Sequence, residues 1–305
     1  METTKKLPAL PSPLGEMARE HRLPQSICLE GEPGSGRTAL ALALAGAVLC
    51  ERQEGEMCGE CRPCQKVLRG VHRDVRLVED IPTKEQVDFI RELRADAYIG
   101  PHEGRAKVII LTDAGRLSRD SQNILLKVLE EPPEDTCFIL TCDNKFRLLS
   151  TILSRVTTVA LRPLAVEECA RLLEQRFPKK TREECREAAV LAAGSPGEGE
   201  RILTRPQAAK RARAARELLR AMAQNSVWEI LAAGVPFEAG SKSRQEYGLF
   251  LEAALRMVML PELQGELGLA PAAGAALRRR LMKAAERNEQ NGYLPLVTAL
   301  LAKKN

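Results

Sequence analysis

The ten residues Gly31 to Leu40, GEPGSGRTAL, leave the N-terminal half of this chain few folds to choose from. They follow SICLE, a short apolar run that reads as a buried strand, and lead into TALALALAGAVLC, which reads as a helix. Strand, glycine-rich turn and helix are the setting of a phosphate loop, G-x-x-x-x-G-K-[ST], whose backbone N–H groups wrap an anion at a helix N-terminus. Gly31, Gly36 and Thr38 fit the pattern, Gly34 is a further glycine inside it, and Thr38 is of the type that reaches a magnesium ion. Arg37 stands where the pattern has lysine. Arginine keeps the charge but replaces a compact ammonium with a planar fork, which is not a conservative change in so crowded a turn. Taken alone, the stretch is either a degenerate nucleotide site or a plain strand-to-helix connection.

Further short strands are expected at 75–78, 107–112, 136–141 and 157–161, with helices at 83–98 and 118–131 between them. The first helix would carry Val87, Ile90, Leu93 and Ala97 on one face; Ser118 would cap the second and Pro132-Pro133 end it. Alternating strands and helices imply a parallel sheet covered on both faces. After residue 164 the strand signals stop. Residues 165–204 read as a small helical module containing the turn GSPGEG, and 207–303 as amphipathic helices broken at Pro236, Pro261 and Gly274. At 305 residues, the chain is long enough for two or three domains.

Four of the nine cysteines, Cys50, Cys58, Cys61 and Cys64, fall in CERQEGEMCGECRPCQ. Two consecutive C-x-x-C steps bring sulfurs onto one tight turn, and Cys50 can supply a fourth thiolate, so the segment predicts a structural zinc site. Four thiolates close the coordination shell and leave no position for a reacting water. Cys28, Cys137, Cys142, Cys169 and Cys185 sit in apolar or helical context and read as core residues.

An ATPase also needs acids at the end of a strand beside the phosphate loop, one holding magnesium and one orienting water. The strand KVIILT ends in Thr112-Asp113-Ala114, a single carboxylate. The stretch KVIILTDAGRLSRDSQNILLKVLEEPPEDTCFILTCDNKFRLLSTILSR, with its LLKVLEEPP helix end and its ILSR segment, resembles the clamp-loader branch of the AAA+ proteins. The cysteine quartet is similar to the zinc module of bacterial clamp-loader subunits. The resemblance is close over roughly residues 20–200 and architectural beyond. It implies an α/β, AAA+ type P-loop domain with a parallel sheet and an inserted zinc module at 50–64 (residues 1–162), then a small helical lid (163–205) and an all-α C-terminal collar (206–305).

Motor subunits of that family, gamma/tau, carry lysine in the loop and Asp-Glu after the strand; here Arg37 and Thr112-Asp113 take those places. The family's second-sensor motif ends in arginine, and in GSPGE that place is taken by Gly197. The resemblance therefore implies a stator-type subunit that does not hydrolyse ATP, with Gly31, Gly34, Gly36, Arg37, Thr38 and Asp113 as a degenerate phosphate site whose binding of nucleotide stays open. Ser154-Arg155 matches the family's Ser-Arg-Cys motif, with Val156 in the cysteine's place, and implies that Arg155 reaches a neighbour's ATP as an arginine finger. Implied partners are gamma/tau and delta subunits, and through the assembly the sliding clamp and primer-template DNA. Two other readings compete: a motor-type ATPase that tolerates Arg37, and an unrelated zinc-dependent DNA-binding regulator, which lacks a basic recognition helix beside the cysteines.

Composition excludes little. A net charge of +5 from 46 basic and 41 acidic residues is compatible with nucleic acid without requiring it, and 3% aromatics disfavour a stacking platform for single strands. No apolar run is long enough to span a membrane and the first twenty residues lack a signal-peptide core, so a cytoplasmic protein is expected. His21, His72 and His102 are too dispersed for a metal site. The basic stretches 210–220 and Arg278, Arg279, Arg280 and Lys283 read as solvated helix faces, with subunit or DNA contacts as the lesser alternative.

Overall fold

The computed structural model describes residues 7, 8, 10, 12–20, 22–79, 81, 84–224, 226–234 and 243–291. Two compact units form, residues 1–162 and 163–305.

The first unit is built on five parallel strands, β1 (Ser26–Glu30), β2 (Val75–Val78), β3 (Lys107–Leu111), β4 (Thr136–Cys142) and β5 (Thr157–Ala160), in the order β2-β3-β4-β1-β5. Helices α1 (Ser12–Arg19), α2 (Arg37–Leu49), α3 (Arg62–Leu68), α4 (Gln86–Ala97), α5 (Arg119–Glu130) and the single turn α6 (Ser150–Leu153) surround it. The period of two along each strand sorts the core into two layers. Ile27, Leu29, Val108, Ile110 and Ile139 pack with α1 and α2, whereas Cys28, Ile109, Leu111, Phe138 and Leu140 pack with α4 and α5. Because both faces are covered, the central strands read as unbroken apolar runs, and β3 and β4 are buried along their whole length.

The helix ends follow local chemistry. Ser118 Oγ accepts the Ser121 N–H at 3.2 Å and caps α5, while α5 stops at Glu130, two residues short of Pro132. On α4, Ile90, Leu93 and Ala97 are buried and Val87 is half-buried. The strand bounds match those expected from sequence to within one residue, and α4 begins at Gln86.

The second unit holds α7 (Val166–Arg176), α8 (Arg182–Leu191), α9 (Pro196–Thr204), α10 (Pro206–Gln224), α11 (Val227–Gly234), α12 (Ser243–Met257), α13 (Pro261–Glu266) and α14 (Pro271–Asn291). One apolar cluster runs from Val166 through Leu218, Phe250 and Met257 to Ala284. Pro261 opens α13 as expected, and Pro236 lies outside the described residues. Two expectations are corrected. Gly274 does not break a helix: it lies in the first turns of α14, where a Cβ would come within 2.6 Å of Gln264 Nε2, so a tertiary contact outweighs glycine's cost of about 1 kcal/mol in a helix. The stretch GSPGEG is only half a turn, since α9 starts at Pro196 and takes in Gly197.

The turn itself is at Gly194, with φ +74°, whose N–H donates to Ala189 O and whose carbonyl accepts the Leu164 N–H, both at 3.0 Å. A Cβ there would stand 2.0 Å from Leu164 O. Gly194→Ala is expected to destabilise the protein by about 2–4 kcal/mol through backbone strain and a lost hydrogen bond, read as a lower urea midpoint with unchanged slope.

Candidate phosphate site, cysteine centre and exposed arginine

The phosphate loop hangs from the C-terminal edge of the sheet. Gly31 N–H donates to Cys142 O at 3.0 Å, tying the loop to the end of β4, and Gly36, with φ +90°, starts α2 without a side-chain cap. Arg37 Nη2 meets Asp113 Oδ1 at 3.1 Å. The Arg37 side chain is only 11% exposed and that of Asp113 39%. Asp113 adopts a left-handed backbone (φ +48°), which aspartate tolerates, and its N–H donates to Thr141 Oγ1 at 3.0 Å. Thr112 turns its hydroxyl away, donating to the carbonyls of Val78 and Glu79 at 2.9 and 3.1 Å. The sequence-derived residues Gly31, Gly34, Gly36, Arg37 and Thr38 thus gather with Asp113 at one edge, but the loop's cation and the one nearby acid are paired with each other. Arg37 Nη1 and Ser35 Oγ are buried with no hydrogen-bond partner among the described residues, two polar atoms that an anion or water can satisfy.

The four cysteines converge. The sulfurs of Cys50, Cys58, Cys61 and Cys64 lie within 4.8 Å of one another, with Cys58–Cys64 at 3.9 Å and Cys50–Cys61 at 4.0 Å. A tetrahedron with zinc–sulfur spokes of about 2.3 Å has edges of about 3.8 Å, so the donor set fits zinc in both chemistry and size. Cys50 is the C-cap of α2, Cys61 the N-cap of α3, and Cys64 lies within α3. Burial opposes ionisation of Cys58, but N–H groups of Cys61 and Glu60 outweigh it and bring the thiol down to about 6. Burial pushes the Cys64 thiol up. The module sits on α2: a Cβ at Gly46 would fall 2.3 Å from Met57 Sδ, so glycine makes room for it.

A carboxylate missed in the sequence anchors the adjoining loop. Asp74, fully buried, accepts N–H groups of His102, Glu103 and Gly104 at 2.6, 2.9 and 2.6 Å. Burial raises its pKa, but those three N–H groups outweigh it, and the net effect holds the carboxyl below its ordinary range. Glu103 in turn pairs with Lys66 on α3. His72 Nδ1 accepts the Asp74 N–H at 3.2 Å, so His72 and His102 serve this anchor; His21 lies outside the described residues.

Arg155 occupies the other edge of the sheet. It follows α6 and precedes β5, whose Ala160 pairs with Glu30 and whose Thr157 pairs with Ile27. The phosphate loop follows Glu30, so four strand residues, about 13 Å, separate the two edges. Arg155 Nη2 pairs with Glu130 Oε1 at 2.7 Å, and Nη1 donates to Thr151 O at 3.0 Å and to Ser154 Oγ at 3.1 Å. Gln122 holds this corner from inside: its Oε1 accepts the Leu149 N–H at 2.8 Å while Nε2 donates to Arg147 O at 3.2 Å.

The basic stretch 210–220 of the helical unit is largely engaged internally. Arg211 pairs with Glu246, Arg213 with Glu187, Arg216 with Glu266, and Arg220 with Glu217 and Glu266. No described helix is long and apolar enough to cross a membrane.

Residues 7–165, more than half the chain, match the family model described as DNA polymerase III, delta subunit. Curated relatives include DNA polymerase III subunit delta' of Yersinia pestis, 33% identical over 64% of this chain and 61% of its own, and that of Escherichia coli K12, 35% identical over 56% and 52%. DNA polymerase III subunit tau of Escherichia coli K12 is 36% identical over 50% of this chain and 24% of its own length. The chain therefore spans less than two thirds of the length of these relatives. With a five-stranded parallel sheet, a glycine-rich strand-to-helix turn and a converging cysteine quartet in the matched region, the chain belongs to the DNA polymerase III delta-subunit family, delta' subunits being among its relatives.

Proposed function

We propose that this protein is the stator subunit, of delta' type, of a bacterial DNA polymerase III clamp loader: it hydrolyses no ATP itself and lends Arg155 to ATP held by a neighbouring gamma/tau subunit. The observation that carries this reading is the Arg37–Asp113 pair. A hydrolysing site needs its loop cation free for the β- and γ-phosphates and its strand-end acids free for magnesium and water. Here the two groups neutralise each other at 3.1 Å, and the second acid is Thr112, occupied with main-chain carbonyls.

Arg155 has the complementary disposition. It lies a strand length from its own loop, too far for action in cis, and its side chain is 37% exposed. A guanidinium presented at an exposed edge offsets charge that builds on a phosphoryl group in transfer, an effect worth about 10³- to 10⁵-fold in rate. Ser154 contributes by accepting a hydrogen bond from Arg155 Nη1. In the assembly, residues 163–205 would be the lid and 206–305 the collar, with gamma/tau and delta as partners and the sliding clamp on primed DNA as the object of the work.

The cysteine centre would hold one structural zinc through Cys50, Cys58, Cys61 and Cys64. Bound there, the ion would link the end of α2 to the start of α3; with four thiolates it supplies no catalysis. The likeness to tau favours a second reading, an active motor ATPase, but the paired Arg37 and Asp113 weigh against it.

The isolated protein is expected to show no magnesium-dependent ATP turnover above background, and robust turnover abolished by Asp113→Ala would overturn the stator assignment. Arg155→Ala should fold and assemble normally yet lower the DNA-stimulated ATPase of the complex reconstituted with gamma/tau and delta; an unchanged rate would dismiss the finger. Elemental analysis should find about one zinc per chain. Cys61→Ser should lose most of it and melt earlier, and wild-type metal content in that variant would rule out the four-cysteine site.

A further inference from the structure

We propose that Glu130 is the positioning residue of Arg155, the group that fixes where the guanidinium points; the inference rests on the reading of Arg155 as a finger. Among the described residues the guanidinium has two hydrogen-bond acceptors, Thr151 O and Ser154 Oγ, which belong to the turn that carries Arg155 and move with it, and one ion-pair partner. Glu130 Oε1, 2.7 Å from Nη2, comes from a different element, the last residue of α5. Among the described residues, it alone refers the arginine to the body of the unit. The seat is stiff, because Pro132-Pro133 ends the helix just beyond and Gln122, two turns earlier on α5, is bonded to the segment leading into α6.

Stability does not account for the pair. Both side chains are more than a third exposed, so the contact contributes about 1 kcal/mol or less to folding. A carboxylate at a helix C-terminus also opposes the helix dipole by about 0.3–1 kcal/mol, which cancels much of that gain. What the contact does provide is order: an unrestrained arginine loses up to about 2 kcal/mol of rotamer entropy when it is captured, and a seated one has already lost it. The seat also leaves a donor available. A guanidinium has five N–H groups. Nη1 donates to Thr151 and Ser154, Nη2 forms an ion pair with Glu130, and Nε–H has no hydrogen-bond partner among the described residues, which leaves it available to a phosphoryl oxygen.

The test is the DNA-stimulated ATPase of the assembly reconstituted with gamma/tau and delta, comparing Glu130→Ala, Glu130→Gln, Arg155→Ala and the double variant Glu130→Ala/Arg155→Ala. Glu130→Ala is expected to reproduce at least about half of the fall in kcat caused by Arg155→Ala, with KM for ATP unchanged. Glu130→Gln keeps an oxygen acceptor for Nη2 and should stay within about twofold of wild type. The double variant should be no slower than Arg155→Ala, as for two residues acting through one group. The isolated Glu130→Ala chain should melt within about 4 °C of wild type, and Glu130→Gln carries the test on the folded protein in either case. If Arg155→Ala slows the assembly while Glu130→Ala leaves it unchanged, the positioning role is wrong and the finger stands. A faster Glu130→Ala assembly would make the pair a latch and overturn the proposal, and an inert Arg155→Ala would remove the finger and this role together.

Discussion

A guanidinium 3.1 Å from a carboxylate, at the C-terminal edge of a buried parallel sheet, joins the candidate phosphate loop to the end of β3. The pair matters less for folding than for occupancy. Asp113 is exposed enough for water and salt to screen it, so the contact contributes about 1 kcal/mol to stability. A nucleotide entering the loop, however, must compete with Asp113 for Arg37, and a magnesium ion must compete with Arg37 for Asp113. An ordinary phosphate loop sets no such competition, because lysine is a point charge with three rotatable donors and two acids wait at the strand end. Arg37 and Thr112 set that balance here, the one paired with Asp113 and the other bonded to main-chain carbonyls.

Identity percentages do not separate the two kinds of relative. The tau and delta' relatives described above match this chain at 33–36%. Under the function proposed above, the distinction would rest on a few charged groups: which cation ends the loop, how many acids follow β3, and whether an arginine is presented at the opposite edge. Such groups weigh little in an alignment and heavily in the electrostatics of a site that moves a phosphoryl group.

How much could be read in advance depended on the range of the interactions. The strands were legible because a strand buried on both faces must be apolar throughout, as KVIIL and TCFILTC are. The Ser118 cap and the Pro132-Pro133 stop are decided by neighbours in sequence, and both were legible. The cysteine quartet was legible because its spacing holds three of the four sulfurs on one turn. The ion pairs were not: Arg37 and Asp113 are 76 positions apart in sequence, and nothing in either segment announces the other. Asp74, whose partners lie at 102–104, was hidden for the same reason. Gly274 misled because propensity is a weak local term and the contact with Gln264 is tertiary. The Glu130–Arg155 contact joins two recognisable motifs, LLKVLEEPP and ILSR, yet their meeting depends on α5 ending at the edge of the sheet from which β5 departs.

The cysteine module bears on α2 from the far side. Met57 covers Gly46, and Cys50 ends the helix whose opposite end is the phosphate loop. A rod clamped at its tail does not rely on whatever lies at its head. The two ends of α2 are tied independently, the head to the sheet through the Gly31–Cys142 hydrogen bond and the tail to the cysteine module.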